Sequence, residues 1–204
     1  MRGKTFLTVV TLLFTLALMA GCAKVPQEVL DSAKAAVEAA RAEGADRYLP
    51  ELFSAAQDSL NAATAEIAAQ ESKFALTRNY DRATALLNAA LTAANSAKDG
   101  VAAKKEEVKA EAQNLLTSAQ AAVEETKKLL AKAPKGKDEK AALVQHASDL
   151  STAESELAQV PNLLSSNDFL SARDKANAVL ETVNRVKSAL QDAIEDKARL
   201  TPKK

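Results

Sequence analysis

Few residues in this 204-residue chain are of a kind that performs chemistry, and they are far apart: one cysteine, Cys22, one histidine, His146, and a lysine, Lys204, at the last position. A single thiol cannot form an intramolecular disulfide, so Cys22 is available as an attachment point. His146 falls in the middle of a helical pattern, at an apolar-seam position equivalent to Ala56. Burial or half-burial in a bundle accounts for it better than catalysis, because no nucleophile, base and orienting partner assemble around one mid-helix imidazole. There is no Glu-x-x-His pair for a di-metal site in a bundle and no glycine-rich phosphate loop. Tyr48 and Tyr80 could mark a binding surface, but packing at a turn between helices is the simpler reading. Acid and base pairs along the helices read as a solvated face. The sequence therefore assigns no catalytic, cofactor-binding or metal-ligating residue, and the expectation is a protein that is not an enzyme.

Cys22 has a distinctive setting. Arg2 and Lys4 make a positive start, Phe6 to Leu18 is an apolar run too short to span a bilayer comfortably, and Ala20 and Gly21 are small residues just before the cysteine. The string Leu18-Met19-Ala20-Gly21-Cys22 resembles the lipobox of bacterial lipoproteins, in which the sulfur is diacylglycerated and the signal peptide is cut before the cysteine; the alternative is an ordinary secretory peptide. Met19 stands where Leu is commoner. The resemblance implies lipidation of Cys22 and effectively permanent anchoring, since each buried CH₂ contributes about 0.8 kcal/mol. Ala23 follows the cysteine; Asp there tends to retain such proteins in the inner membrane, so in a Gram-negative cell the resemblance implies the periplasmic face of the outer membrane. Removing residues 1–21 takes away two basic and no acidic side chains, leaving 25 Lys and Arg against 27 Asp and Glu. That balance gives no electrostatic drive toward nucleic acid or anionic lipid.

The elements that must carry these residues are helical. Of the composition 47% is hydrophobic, but much of it is alanine, there is no Trp, and only Tyr48, Phe53, Phe74, Tyr80 and Phe169 are aromatic beyond the N-terminal segment. With little apolar area per residue, stability rests on helix propensity and close helix approach. Pro26 with Gln27 and Glu28 starts a first helix with Val29, Ala33, Ala36 and Ala40 as its seam and Leu30 and Val37 beside it, and Gly44 stops it. Pro50 opens a second, with Phe53, Ala56, Leu60, Ala63 and Ile67 repeating at three and four up to about Ser72. Asn79 caps a third, which runs to Lys132 without a proline and carries Tyr80, Ala83, Leu87, Ala90, Ala94, Ala97 and Val101.

The pattern then repeats. Ser32 to Glu38 recurs as Ser118 to Glu124, Phe53, Leu60, Ala63 and Ile67 recur as Leu143, Leu150, Ala153 and Leu157, and Tyr80 and Ala83 recur as Phe169 and Ala172, at offsets of 86, 90 and 89. Pro134 and Gly136 break the chain as Gly44 to Pro50 does, a second break covers Pro161 to Asn167, and the last helix carries Phe169, Ala172, Ala176, Val179, Val183, Val186, Leu190 and Ala193. Chance likeness between alanine-rich helices is the alternative to duplication. Lys104-Lys105-Glu106-Glu107, between Val101 and Val108, reads as a solvated stretch with no apolar face. The expectation is an all-α chain: signal peptide 1–21, acylated cysteine and tether 22–25, three-helix units 26–103 and 104–200 joined by one long helix, and a tail 201–204. Its elongated connectivity resembles spectrin-type tandem repeats. The competing arrangement folds the long helix at Gly100 and packs six helices into a single bundle.

Residues Ala40-Arg41-Ala42-Glu43-Gly44-Ala45-Asp46-Arg47-Tyr48-Leu49-Pro50-Glu51-Leu52, followed later by Asn79-Tyr80-Asp81-Arg82-Ala83, resemble an uncharacterised alanine-rich bacterial lipoprotein domain. In that family a similar Gly-Ala-x-x-Tyr-Ala-Pro turn joins two helices, and the domain sometimes precedes an OmpA-like peptidoglycan-binding module. The likeness covers about residues 23 to 100, Leu49 replaces the usual Ala, and no OmpA-like stretch follows in this sequence. It implies an envelope address near peptidoglycan and no particular activity. Two functions follow as expectations: a structural or scaffolding lipoprotein that binds envelope components through helix faces, or a helical carrier whose bundle opens around an apolar ligand or lipid. Thr201-Pro202-Lys203-Lys204 ends in a lysine, as Braun-type lipoproteins do, which implies covalent linkage of Lys204 to peptidoglycan as against an ordinary solvated tail. If that linkage exists, deleting Lys204 releases the protein from purified sacculi. Equal retention of the deleted form sinks the linkage.

Overall fold

A computed structural model describes residues 24–134, 136 and 139–200. These form α1 (Gln27–Glu43), α2 (Ala45–Tyr48), α3 (Pro50–Glu71), a 3₁₀ turn (Ala75–Thr77), α4 (Asp81–Lys132), α5 (Lys140–Leu157), α6 (Val160–Ser165) and α7 (Phe169–Leu200), with no strand among the described residues. The all-α expectation holds. The expected signal peptide, Cys22 and the tail with Lys204 lie outside the described residues.

The chain divides into two compact units between Lys104 and Lys105, within α4. In the first unit, Leu30 and Ala33 of α1, Ala63 and Ile67 of α3, and Tyr80, Ala83, Leu87 and Ala90 at the head of α4 share one core cluster. The alanines of that cluster are at 0% exposure. An alanine at a helix contact lets the backbones approach closely, and this substitutes dispersion between main chains for the missing bulky side chains. Arg41 lies over the Phe53 ring at 5.3 Å, closing the other end of the α1–α3 pair.

The first-helix seam differs from the sequence expectation. Leu30, Ala33, Val37 and Ala40 are buried, while Val29 and Ala36 are half-buried. Rotating the inner face by one residue buries Leu and Val in place of Val and Ala, which removes more apolar area from water.

In the second unit, Ala112, Ala119 and Val123 of α4 pack with Leu150, Ala153 and Leu157 of α5, Val160 of α6, and Ala172 to Val183 of α7. Two ion pairs set the register of α4 against α7: Arg173 to Glu111 at 3.9 Å and Lys187 to Glu125 at 2.7 Å. Both span the same 62 positions, so the two helices advance together and run parallel, with α5 returning between them. Lys109 over the Phe169 ring, at 5.6 Å, continues that register toward the start of α7.

The proposed repeat has a structural counterpart. Tyr80, Ala83, Leu87, Ala90, Ala94, Ala97 and Val101 are all buried, and so are Phe169, Ala172, Ala176, Val179, Val183, Val186 and Leu190. Each position of the first set meets its partner at an offset of 89. Ala33 and Val37 likewise match Ala119 and Val123, and Ala40 matches Thr126, which is fully buried with its Oγ1 satisfied by donating to the Ala122 carbonyl at 2.7 Å.

The helix ends follow local rules. Gly44 takes φ of 93° and donates to the Arg41 carbonyl at 2.8 Å, ending α1 in a left-handed cap that a side chain rarely adopts. Asn167 does the same at φ 61° after α6, with Asp168 N–H donating to Leu163 and Asn167 N–H to Leu164. Of the break expected over Pro161 to Asn167, the turn at Ser166 and Asn167 is present, whereas Pro161 sits in the first turn of α6, where its missing N–H is not needed. Asn79 Oδ1 accepts the Asp81 N–H at 2.7 Å, and Gln70, itself buried, accepts from the Asn79 N–H at 3.1 Å while donating to Glu66 at 2.7 Å. Gly100 is helical and lies within α4; a Cβ there would meet Leu49 Cδ1 at 2.8 Å, so the glycine admits a close neighbour.

Lys104 and Lys105 are half-buried, against the solvated stretch expected there; Glu106 and Glu107 are exposed. The reason is spacing. Val101 and Val108, at 2% and 1% exposure, are seven residues apart and share a face, and positions 104 and 105 fall between them on it, where lysine stems can lie along apolar surface.

Filling an alanine seam should be costly. Ala90→Leu is expected to lower stability by about 1–3 kcal/mol in urea unfolding, because the close approach of α4 to its neighbours leaves no room for three more carbons. An unchanged midpoint contradicts the close-packed seam.

Candidate functional site

The residues singled out by type end up in separate places. Tyr48 and Tyr80 are buried, at 6% and 5% exposure, and belong to the packing of the first unit. Tyr80 Oη is buried with no hydrogen-bond partner among the described residues. Its ring belongs to the cluster of Leu30, Ile67 and Leu87, so the hydroxyl is carried into an apolar interior by the seam position it occupies.

His146 is half-buried on α5, as its seam position suggests. It lines a cavity of about 270 Å³ between the start of α5 and the end of α7, together with Glu139, Pro134, Leu143, Leu190 and Ala193. Its Nδ1 is buried without a partner among the described residues. One imidazole and one carboxylate face this space, and the rest of the lining is Pro, Ala and Leu. A nucleophile is absent from that lining, so the pair lacks the third member that acyl or phosphoryl transfer requires. Beside it an open depression of about 540 Å³ is lined by Leu130, Lys140, Leu143, Val144 and Ala147, and Val144 is 64% exposed. This is an apolar dent with one ammonium at its edge.

The third place is a charged notch on the second unit. Lys127 of α4 bonds Glu154 of α5 at 2.6 Å and Glu124 on its own helix at 3.1 Å. The Glu154 carboxylate, with Glu124 second, holds the Lys127 ammonium above the ordinary lysine range. Pro161, Leu157 and Val123 complete the wall of a shallow cleft of about 310 Å³. The arrangement fastens α5 to α4; two carboxylates on one ammonium leave it as a structural clamp without a free base. Among the described residues no group of three or more His, Cys, Asp or Glu comes together in a way that could hold a metal ion, and no described helix is long and apolar enough to cross a membrane.

Sequence reasoning did not anticipate Gln70 and Thr126 as buried polar residues, nor the Lys127 clamp. The offset of 86 from Ala40 was the available signal for Thr126, and the position three residues after Ile67 was the signal for Gln70.

The clamp has a pH signature. A lysine whose folded pKa is raised contributes stability that is complete below its unfolded value, ordinarily 10.5, and is lost as pH rises through the folded value. The urea midpoint of the wild-type chain should therefore fall more between about pH 9 and about pH 11.5 than that of Glu154→Gln, where the first partner of the ammonium is neutral. Parallel pH profiles contradict the clamp. No protein-family profile matches this chain, and neither the curated proteins nor the solved structures contain a significant match.

Proposed function

We propose that the protein is a lipoprotein held on the periplasmic face of the outer membrane through Cys22, with a non-catalytic structural or scaffolding role in the cell envelope. The observation that carries the reading is the run of positive start, short apolar stretch, Ala20-Gly21 and a lone Cys22. The distance from that cysteine to the first helix supports it. Gln27 begins α1 five residues after Cys22, a span of at most about 18 Å even when extended. A tether of that length keeps a rigid helical unit against the membrane surface.

The likeness of residues 40–52 to the alanine-rich lipoprotein domain adds the envelope address, and the helix faces are the surfaces left for partners such as envelope proteins or peptidoglycan. The carrier alternative would use the open depression lined by Leu130, Leu143, Val144 and Ala147. It is the weaker reading because the seams Ala112, Ala119, Ala172 and Ala176 are at 0% exposure and close the space where an acyl chain would lie.

In cells expressing the full chain, Cys22→Ser should stay unacylated and uncut, retaining the apolar run of residues 6–18, and should be lost from the outer-membrane fraction. Unaltered processing and outer-membrane retention of Cys22→Ser contradict the reading.

A further inference from the structure

The turn between α3 and α4 leaves two large apolar side chains in solvent: Phe74 is 73% exposed and Leu76 is 61% exposed. The turn is nonetheless held firmly. Arg78 donates from Nε to the Lys73 carbonyl at 3.1 Å and from Nη2 to the Glu71 carbonyl at 2.7 Å, and Gln70 ties down the Asn79 N–H. Phe74 and Leu76 are therefore displayed by a hydrogen-bonded loop, with Lys73 and Arg78 on either side.

The place of this turn in the first unit gives it meaning. Val25 packs against the core cluster of Leu30, Ile67 and Tyr80, so the chain entering α1 lies at the end of the unit where α3 gives way to α4. Val25 is three residues from Cys22, a span of at most about 11 Å. Leu52 marks the far end of α3, nineteen residues before Glu71 and so about 29 Å away along the helix. The end of the unit at which Val25 enters is thus the end that carries the exposed Phe74 and Leu76.

We propose that the Lys73–Arg78 turn is a second membrane contact, in which Phe74 and Leu76 enter the interfacial layer of the bilayer that holds Cys22 while Lys73 and Arg78 stay at the phosphate level. This rests on the reading of Cys22 as an acylated anchor. The occupant is the lipid surface because the tether brings that surface to this end of the unit. An aromatic and an aliphatic side chain between two cations have the composition that partitions into a headgroup layer. Two contacts on one rigid unit fix its tilt, which a single flexible tether cannot do.

The chain has no tryptophan, so Phe74→Trp introduces a unique reporter, and Leu52→Trp, at an exposed position of the far end, is its control. Mature chain beginning at Cys22 is coupled through that thiol to a maleimide-bearing phospholipid in vesicles of phosphatidylethanolamine and phosphatidylglycerol at roughly 3:1. The chemical coupling supplies the anchor, so the result does not depend on whether the cell acylates Cys22, which the fractionation of Cys22→Ser tests separately. Trp at position 74 should emit at shorter wavelength and lose about half its intensity or more when the lipids are brominated, with Trp at position 52 unaffected. Equal response of the two positions, or a position-74 emission already blue-shifted without vesicles because copies associate through the turn, overturns the proposal.

Discussion

Everything in this fold depends on the close approach of helices across alanine. Ala33, Ala63, Ala83 and Ala90 in the first unit, and Ala112, Ala119, Ala172 and Ala176 in the second, are wholly removed from solvent. A methyl group contributes little by area, so the stabilisation comes from backbone dispersion at short range and from the helix propensity of alanine itself. The two units use the idea in different proportions. Where the first has Ala90, Ala94 and Ala97, the second has Val179, Val183 and Val186 at the equivalent places. The first unit recovers apolar area at its ends, with Tyr48, Phe53 and Tyr80.

A core of this kind has consequences for where function can reside. Side chains at the seam occupy the space between helices, and the three hollows described on the second unit lie beside the seam: the cavity at His146, the depression around Leu143 and the notch at Lys127. The exposed Phe74 and Leu76 also belong to a turn and not to a helix face. The proposed role, an anchored helical spacer that acts through its surfaces, uses the features such a core leaves available.

Much of this was readable in advance because heptad spacing is a strong signal when alanine and valine keep it. Every position from Tyr80 to Val101 and from Phe169 to Leu190 on the expected seams is buried. Gly44 ends a helix for the reason its type suggests. Reading failed where two neighbouring residues were both apolar, as with Val29 and Leu30, since periodicity cannot choose between faces that differ by one residue. It also failed for α2 and α6, because a helix of four or six residues shows no period. Lys104 and Lys105 were assigned to water by charge, yet an amphipathic stem can follow an apolar stripe. The turn at Phe74 carried no signal of its own: an aromatic next to a helix end suggests burial, and only the folded unit distinguishes exposure.

The most direct test of the account is the intact mass of the protein extracted from membranes, with fragmentation of its N-terminal peptide. The account predicts a chain that begins at Cys22 and carries two or three acyl chains there. A chain that keeps residues 1–21, or begins elsewhere with Cys22 as a free thiol, would contradict it.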